Sequence, residues 1–148
     1  MEDSIKANVK ILNGRRITHG IAKGEAVVSK SAFGFYGAVD PHTGVVSDKR
    51  HELFGRKIAG KVLVFPEGRG STAGAITILE LARCGTAPAA MINRVTEPIL
   101  ATGAILAEKF YNTTIPVIDN LANNAIIELS DGDNVTVDAN KGEVTIYT

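Results

Sequence analysis

Cysteine is almost absent. Cys84 is the single one in 148 residues, which excludes an internal disulfide and any zinc or iron-sulfur site built from several thiolates of this chain. Tryptophan is missing, aromatics make up 5% of the chain, and 16 basic residues cancel 16 acidic ones. A basic stripe interleaved with aromatics, the usual footprint of a nucleic-acid binder, is therefore lacking. No apolar run approaches the roughly 18–20 residues needed to cross a bilayer. The acidic start Met1-Glu2-Asp3-Ser4 is not followed by an apolar signal region, so the expected location is the cytoplasm. The few histidines, His19, His42 and His51, have neither metal-ligand spacing nor an acidic partner at a motif offset and are expected as surface or turn residues. No metal site is expected in this chain. Cys84, inside an apolar helical stretch, is expected as a small buried hydrophobe.

What is present is an ordinary globular composition, 45% hydrophobic and 22% charged, enough for one core and a single domain over residues 1–148. Val9 to Leu12 and Gly24 to Val28 read as strands between turn signals, and Ser29 to Arg56 reads as a long ordered excursion rich in Gly, Asp, Pro and His. From Lys61 to Asp119 the pattern alternates. Lys61–Pro66 is a largely apolar run of strand length, Ser71–Cys84 a helix with polar Thr77, Glu80 and Arg83, and Ala87–Ile92 a strand. A second helix follows, with Thr96 as cap and Pro98 in its first turn, ending near Tyr111, and then a strand at Ile115–Ile118. Ile126–Leu129, Val135–Val137 and Glu143–Ile146 are expected as a closing antiparallel β layer. The fold class is α/β, with mixed β layers and an αβ layer.

The chemistry concentrates in Pro66-Glu67-Gly68-Arg69-Gly70-Ser71-Thr72, where a strand breaks through glycines into a helix start. Free N–H groups at a helix N-terminus favour an anion or a developing alkoxide, Ser71 brings a hydroxyl there, and Arg69 has the shape for a two-pronged carboxylate contact. On spacing alone the plainer role, Ser71 capping the helix and Arg69 in solvent, has the edge. A P-loop does not fit, because the lysine before the Ser/Thr is absent. A second stretch, Gly34-Phe35-Tyr36-Gly37-Ala38-Val39-Asp40-Pro41-His42-Thr43-Gly44, suggests a shaped surface. In it Asp40 either orients a ligand or bonds its own turn, the turn role being slightly favoured.

Taken in order, Gly37-Ala38-Val39-Asp40-Pro41 through Gly44, then Gly60 to Val64, then Gly68-Arg69-Gly70-Ser71-Thr72, then Ala87-Pro88-Ala89-Ala90 resemble the small subunit of the aconitase X family, a swivelling β/β/α domain with helices on one side. The resemblance runs from about Gly20 to Ile146. It implies a hydro-lyase subunit, inactive without a large partner subunit that holds an iron-sulfur cluster, and it assigns Ser71 as the catalytic base, with Arg69, Gly70, Thr72 and Asp40 as substrate-binding residues. The family's substrates are small hydroxy acids. The run Leu106 to Tyr111 before Ile115-Pro116-Val117 leans to cis-3-hydroxy-L-proline, and the alternative is mevalonate 5-phosphate. Ala75 stands where many relatives carry another serine.

Two other classes compete. A phosphohistidine carrier domain shares the layout, including a hairpin like Gly132 to Asp138, yet needs a histidine just after the serine. None occurs from Glu52 to Thr148. A non-catalytic structural subunit would require Ser71→Ala to leave activity intact.

Overall fold

The computed structural model describes residues 9–69 and 72–147. Among these described residues ten strands form in chain order: β1 Val9–Asn13, β2 Arg15–Arg16, β3 Ile21–Val28, β4 Val39–Asp40, β5 Val45–Val46, β6 Val62–Phe65, β7 Ala90–Asn93, β8 Val117–Asp119, β9 Asn134–Asp138 and β10 Glu143–Tyr147. Helix α1 covers Thr72–Cys84 and α2 Pro98–Tyr111. Eight strands join in the order β1-β10-β9-β3-β6-β7-β8-β2, while β4 and β5 pair separately.

The residue pattern explains the layering. β6 and β7 are buried at every position, as strands covered on both faces must be. Leu63, Phe65, Met91 and Val117 face the helix-side core, and Val62, Val64, Ala90, Ile92 and Ile118 face a second core. In β9 and β10 only alternate residues are buried, and Val135, Val137, Val144 and Ile146 all enter that second core. One β layer is thus parallel, β3-β6-β7-β8. The other, β1-β10-β9-β3, is antiparallel. β3 belongs to both, since Ile21–Glu25 pair with β9 and Ala26–Val28 with β6.

The sheet curls until its outermost strands, β1 and β2, are consecutive in sequence with only Gly14 between them. A side-chain carbon at Gly14 would lie 2.7 Å from the Asp119 carbonyl oxygen and 2.8 Å from both Ile118 Cγ2 and Leu121 Cδ2. Only glycine lets the chain pass this close. The helices cover the opposite face of the parallel layer, giving the expected β/β/α order.

Several local expectations are corrected. Ile126–Leu129 is not a strand: residues 122–128 wind as a 3₁₀ segment in which Asn123 and Asn124 both have positive φ. Glu97, not Thr96, caps α2, its carboxylate accepting the Leu100 N–H at 2.6 Å. Pro98 does open the helix. Cys84 is only half-buried, because it occupies the last turn of α1. There Gly85 and Thr86 close the helix by donating to the Ala82 and Leu81 carbonyls. His19 has an acidic partner after all, Glu108, whose carboxylate lies 2.6 Å from Nε2. The excursion at 29–56 is also more than surface, since Phe33, Phe35, Val39, Val46 and Leu53 are part of the helix-side core.

Candidate functional site

Parallel strands direct their C-terminal ends to one edge, the place where open α/β sheets bind ligands. β6, β7 and β8 end there at Phe65, Asn93 and Asp119. The segment after β6 is held from two sides. The Pro66 carbonyl accepts N–H groups of Arg94 and Val95, while Phe33 donates to the Glu67 carbonyl and accepts from the Arg69 N–H. Beneath it Phe33 packs edge-on against Phe35 and His51, with ring centroids 5.0 and 5.1 Å away. The His51 Nδ1 accepts the Leu53 N–H and its Nε2 faces the Ala32 carbonyl. The proton therefore sits on Nε2, and both partners of the ring are main chain.

A shallow cleft opens at this edge, lined by Phe33, Phe35, Gly68, Arg69, Gly74, Ala75, Glu97 and Leu100. Its walls are the beginnings of both helices, so two positive helix ends face it, one of them partly neutralised by the Glu97 carboxylate. Arg69 is exposed and makes no ion pair with another described residue. Gly34 leaves the room this needs, since a side-chain carbon there would lie 3.2 Å from the Arg69 Cβ. The site therefore offers a guanidinium with no ion pair among the described residues, and the positive end of α1, to an anionic ligand.

Of the residues expected here, Arg69 lines the cleft and Thr72 opens α1 at an exposed position. Gly70 and Ser71 lie outside the described residues. Asp40 is placed elsewhere. Its carboxylate accepts the His42 N–H, its carbonyl accepts from Thr43 and Gly44, and the Pro41 carbonyl accepts the hydroxyl of Thr86, beyond the far end of α1. The nine helical residues from Ile76 to Cys84, about 14 Å at 1.5 Å each, lie between that turn and the cleft lined by Gly74 and Ala75.

Sequence reading missed the polar residues behind the cleft. Asp119 and Asn93 are fully buried and Thr96 nearly so. Asp119 accepts two hydrogen bonds from Arg15, at 2.9 and 2.8 Å, and one from the Thr96 N–H at 2.6 Å. Burial pushes its carboxyl pKa up, but the Arg15 and Thr96 hydrogen bonds and the Arg15 charge outweigh this and hold it below the usual carboxylate range. The available signal was positional: a polar residue ends each of the two apolar runs, Asn93 and Asp119.

The model of the aconitase X swivel domain matches residues 11–146. The chain belongs to that family. It is 47% identical over 135 residues to the phosphomevalonate dehydratase small subunit of Methanocella arvoryzae, covering 91% of this chain and 98% of the relative. The protein of the same name from Pyrococcus furiosus is 44% identical, with 91% and 94% covered. The crystal structure of Thermococcus kodakaraensis aconitase X in its holo form superposes with a TM-score of 0.84 at 42% identity, over 94% of this chain and 99% of that one.

Proposed function

We propose that this chain is the small subunit of a dehydratase that acts on mevalonate 5-phosphate, and that Ser71 is the base that takes the proton. The observation that carries the reading is the end-to-end similarity to curated relatives named phosphomevalonate dehydratase small subunit. These favour mevalonate 5-phosphate over cis-3-hydroxy-L-proline. The residues behind the latter reading, Leu106 to Tyr111, form the last turns of α2. They lie about 9–16 Å along the helix from Leu100 at the cleft, and none of them lines it.

A serine hydroxyl is too weak an acid to ionise unaided near neutral pH, so its use as a base needs donors and positive charge around the oxygen and little water. The residues flanking Ser71 in sequence suit that need: Arg69, with no ion pair among the described residues, on one side and the first turn of α1 on the other. In the proposed step the C–H bond beside the hydroxyl-bearing carbon breaks and its proton passes to Ser71 Oγ. The electron pair becomes the new C=C bond as the hydroxyl departs, and return of the proton to that hydroxide completes a water molecule. Arg69, Gly70 and Thr72 would bind and orient the substrate anion. Asp40, bonded into its own turn, would shape the excursion that packs beside α1.

An iron-sulfur cluster does not fit this chain. It has one cysteine, half-buried beside Arg83 at the end of α1 away from the cleft, and no group of three or more His, Cys, Asp or Glu among the described residues can hold a metal ion. The cluster that the family reading requires is assigned to the large partner subunit, which would also cover the shallow cleft and exclude water. No helix among the described residues is long and apolar enough to cross a membrane.

The test is to purify the chain with its large subunit and offer both substrates. Dehydration of mevalonate 5-phosphate, with none of cis-3-hydroxy-L-proline, is expected. The opposite preference would overturn the substrate assignment.

A further inference from the structure

Three buried polar side chains stand behind the loop that leads from β6 into α1; Asp119 and Asn93 each bridge neighbouring elements, and Thr96 links the two. Asp119, at the end of β8, accepts the Thr96 N–H at 2.6 Å. The Thr96 hydroxyl donates to Asn93 Oδ1 at 3.1 Å, and Asn93 Nδ2 donates to the Phe65 carbonyl at 3.2 Å. Phe65 is the last residue of β6. The next carbonyl, that of Pro66, accepts N–H groups from Arg94 and Val95, which lie between Asn93 and Thr96. Arg94 also reaches Glu67 at 3.3 Å, and its carbonyl accepts the Asn120 N–H.

Burying a carboxylate, an amide and a hydroxyl costs free energy that apolar side chains of the same volume would not. Packing alone does not call for them. What they provide is direction: the Asp119 and Asn93 bonds each tie one strand end to its neighbour, the Thr96 hydroxyl closes the turn between them, and the Asn93 bond fixes the backbone entering the Arg69 segment. Fully satisfied buried networks of this kind hold one geometry in preference to its neighbours, and no buried side-chain polar atom among the described residues lacks a partner.

We infer that Asp119, Thr96 and Asn93 are positioning residues: a relay that sets the backbone of residues 66–69, the segment that leads toward Ser71. The inference rests on the reading of Ser71 as the base. A misplacement of about 1 Å at a reacting group can cost on the order of 100-fold in rate, so a relay outside the cleft can act on turnover without touching substrate.

Thr96→Val tests it, since it deletes the hydroxyl that joins the two halves of the relay while keeping the side chain's shape. In the two-subunit complex kcat should fall by about 10-fold or more with KM within about twofold, and Thr96→Ser should restore most of it. Hydrogen exchange gives a readout independent of activity: the Arg69 and Arg94 amides should exchange faster in Thr96→Val while those of β9 and β10 stay as in wild type. Wild-type kcat together with wild-type exchange at Arg69 and Arg94 would overturn the relay. If the wild-type complex dehydrates neither substrate, the reading of function fails, and the exchange measurement still decides whether the relay holds the loop.

Discussion

At the residue scale, Asp119 combines full burial with a full negative charge. Its folded-state pKa is depressed, so its charge stabilises the fold at any pH above its unfolded value of 3.8, and that contribution is lost as the pH falls through the lower folded value. Asp119→Asn keeps the shape and the Thr96 contact but removes the charge that meets Arg15. Because the Arg15 side chain is 58% exposed, solvent takes up part of the loss, and a destabilisation of about 1–2 kcal/mol at pH 7 is expected. Denaturant titrations between pH 7 and pH 2.5 check this. The wild type should lose stability on acidification that the variant never had, so the two curves should converge at the acid end. Little of this residue's role could be read from sequence. Arg15, Asn93, Thr96 and Asp119 come together only through strand neighbours as much as 104 positions apart, and no local spacing marks such a group. Ser71 and Arg69 could be singled out as candidates because glycines, a strand end and a helix start are neighbours in the chain itself.

At the scale of elements, the sheet depends on one residue where it closes. Gly14→Ala would drive a methyl group to 2.7 Å from the Asp119 carbonyl oxygen, and neither main-chain segment can yield without opening β1 from β10 or β2 from β8. A loss of about 2–4 kcal/mol is expected, read as a lowered unfolding midpoint; an unchanged midpoint would mean that β1 and β2 are not held together as described. The central strands were readable because burial on both faces demands unbroken apolar runs, as in Val62–Phe65. Ile126–Leu129 has the same look but not the same fate. Two consecutive asparagines in the left-handed region turn the chain before it, leaving Leu129 buried and Ile127 78% exposed. The excursion at 29–56 was legible as ordered but not as core, because its buried Phe33, Phe35, Val46 and Leu53 follow no period. They are fixed instead by the parallel bridge of Phe33 to Gly68 and the short β4–β5 hairpin.

For the whole molecule, the arrangement is a β/β/α body that presents one shallow edge. The helix starts, Arg69 and the aromatic floor of Phe33 and Phe35 all meet there, while Asp40 and Cys84 sit toward the other end of α1. A cleft so shallow leaves a bound anion in water, which weakens every charge acting on it. On the proposed reading the large subunit supplies the cover and the cluster, and neither chain completes the site alone. The most direct measurement is turnover of mevalonate 5-phosphate by the reconstituted pair carrying wild-type Ser71 or Ser71→Ala, beside each subunit alone. The account predicts turnover only with both wild-type subunits and a loss of on the order of 1000-fold or more in Ser71→Ala, with the complex still assembled. Near-wild-type turnover by the Ser71→Ala complex, or turnover by either subunit alone, would contradict it.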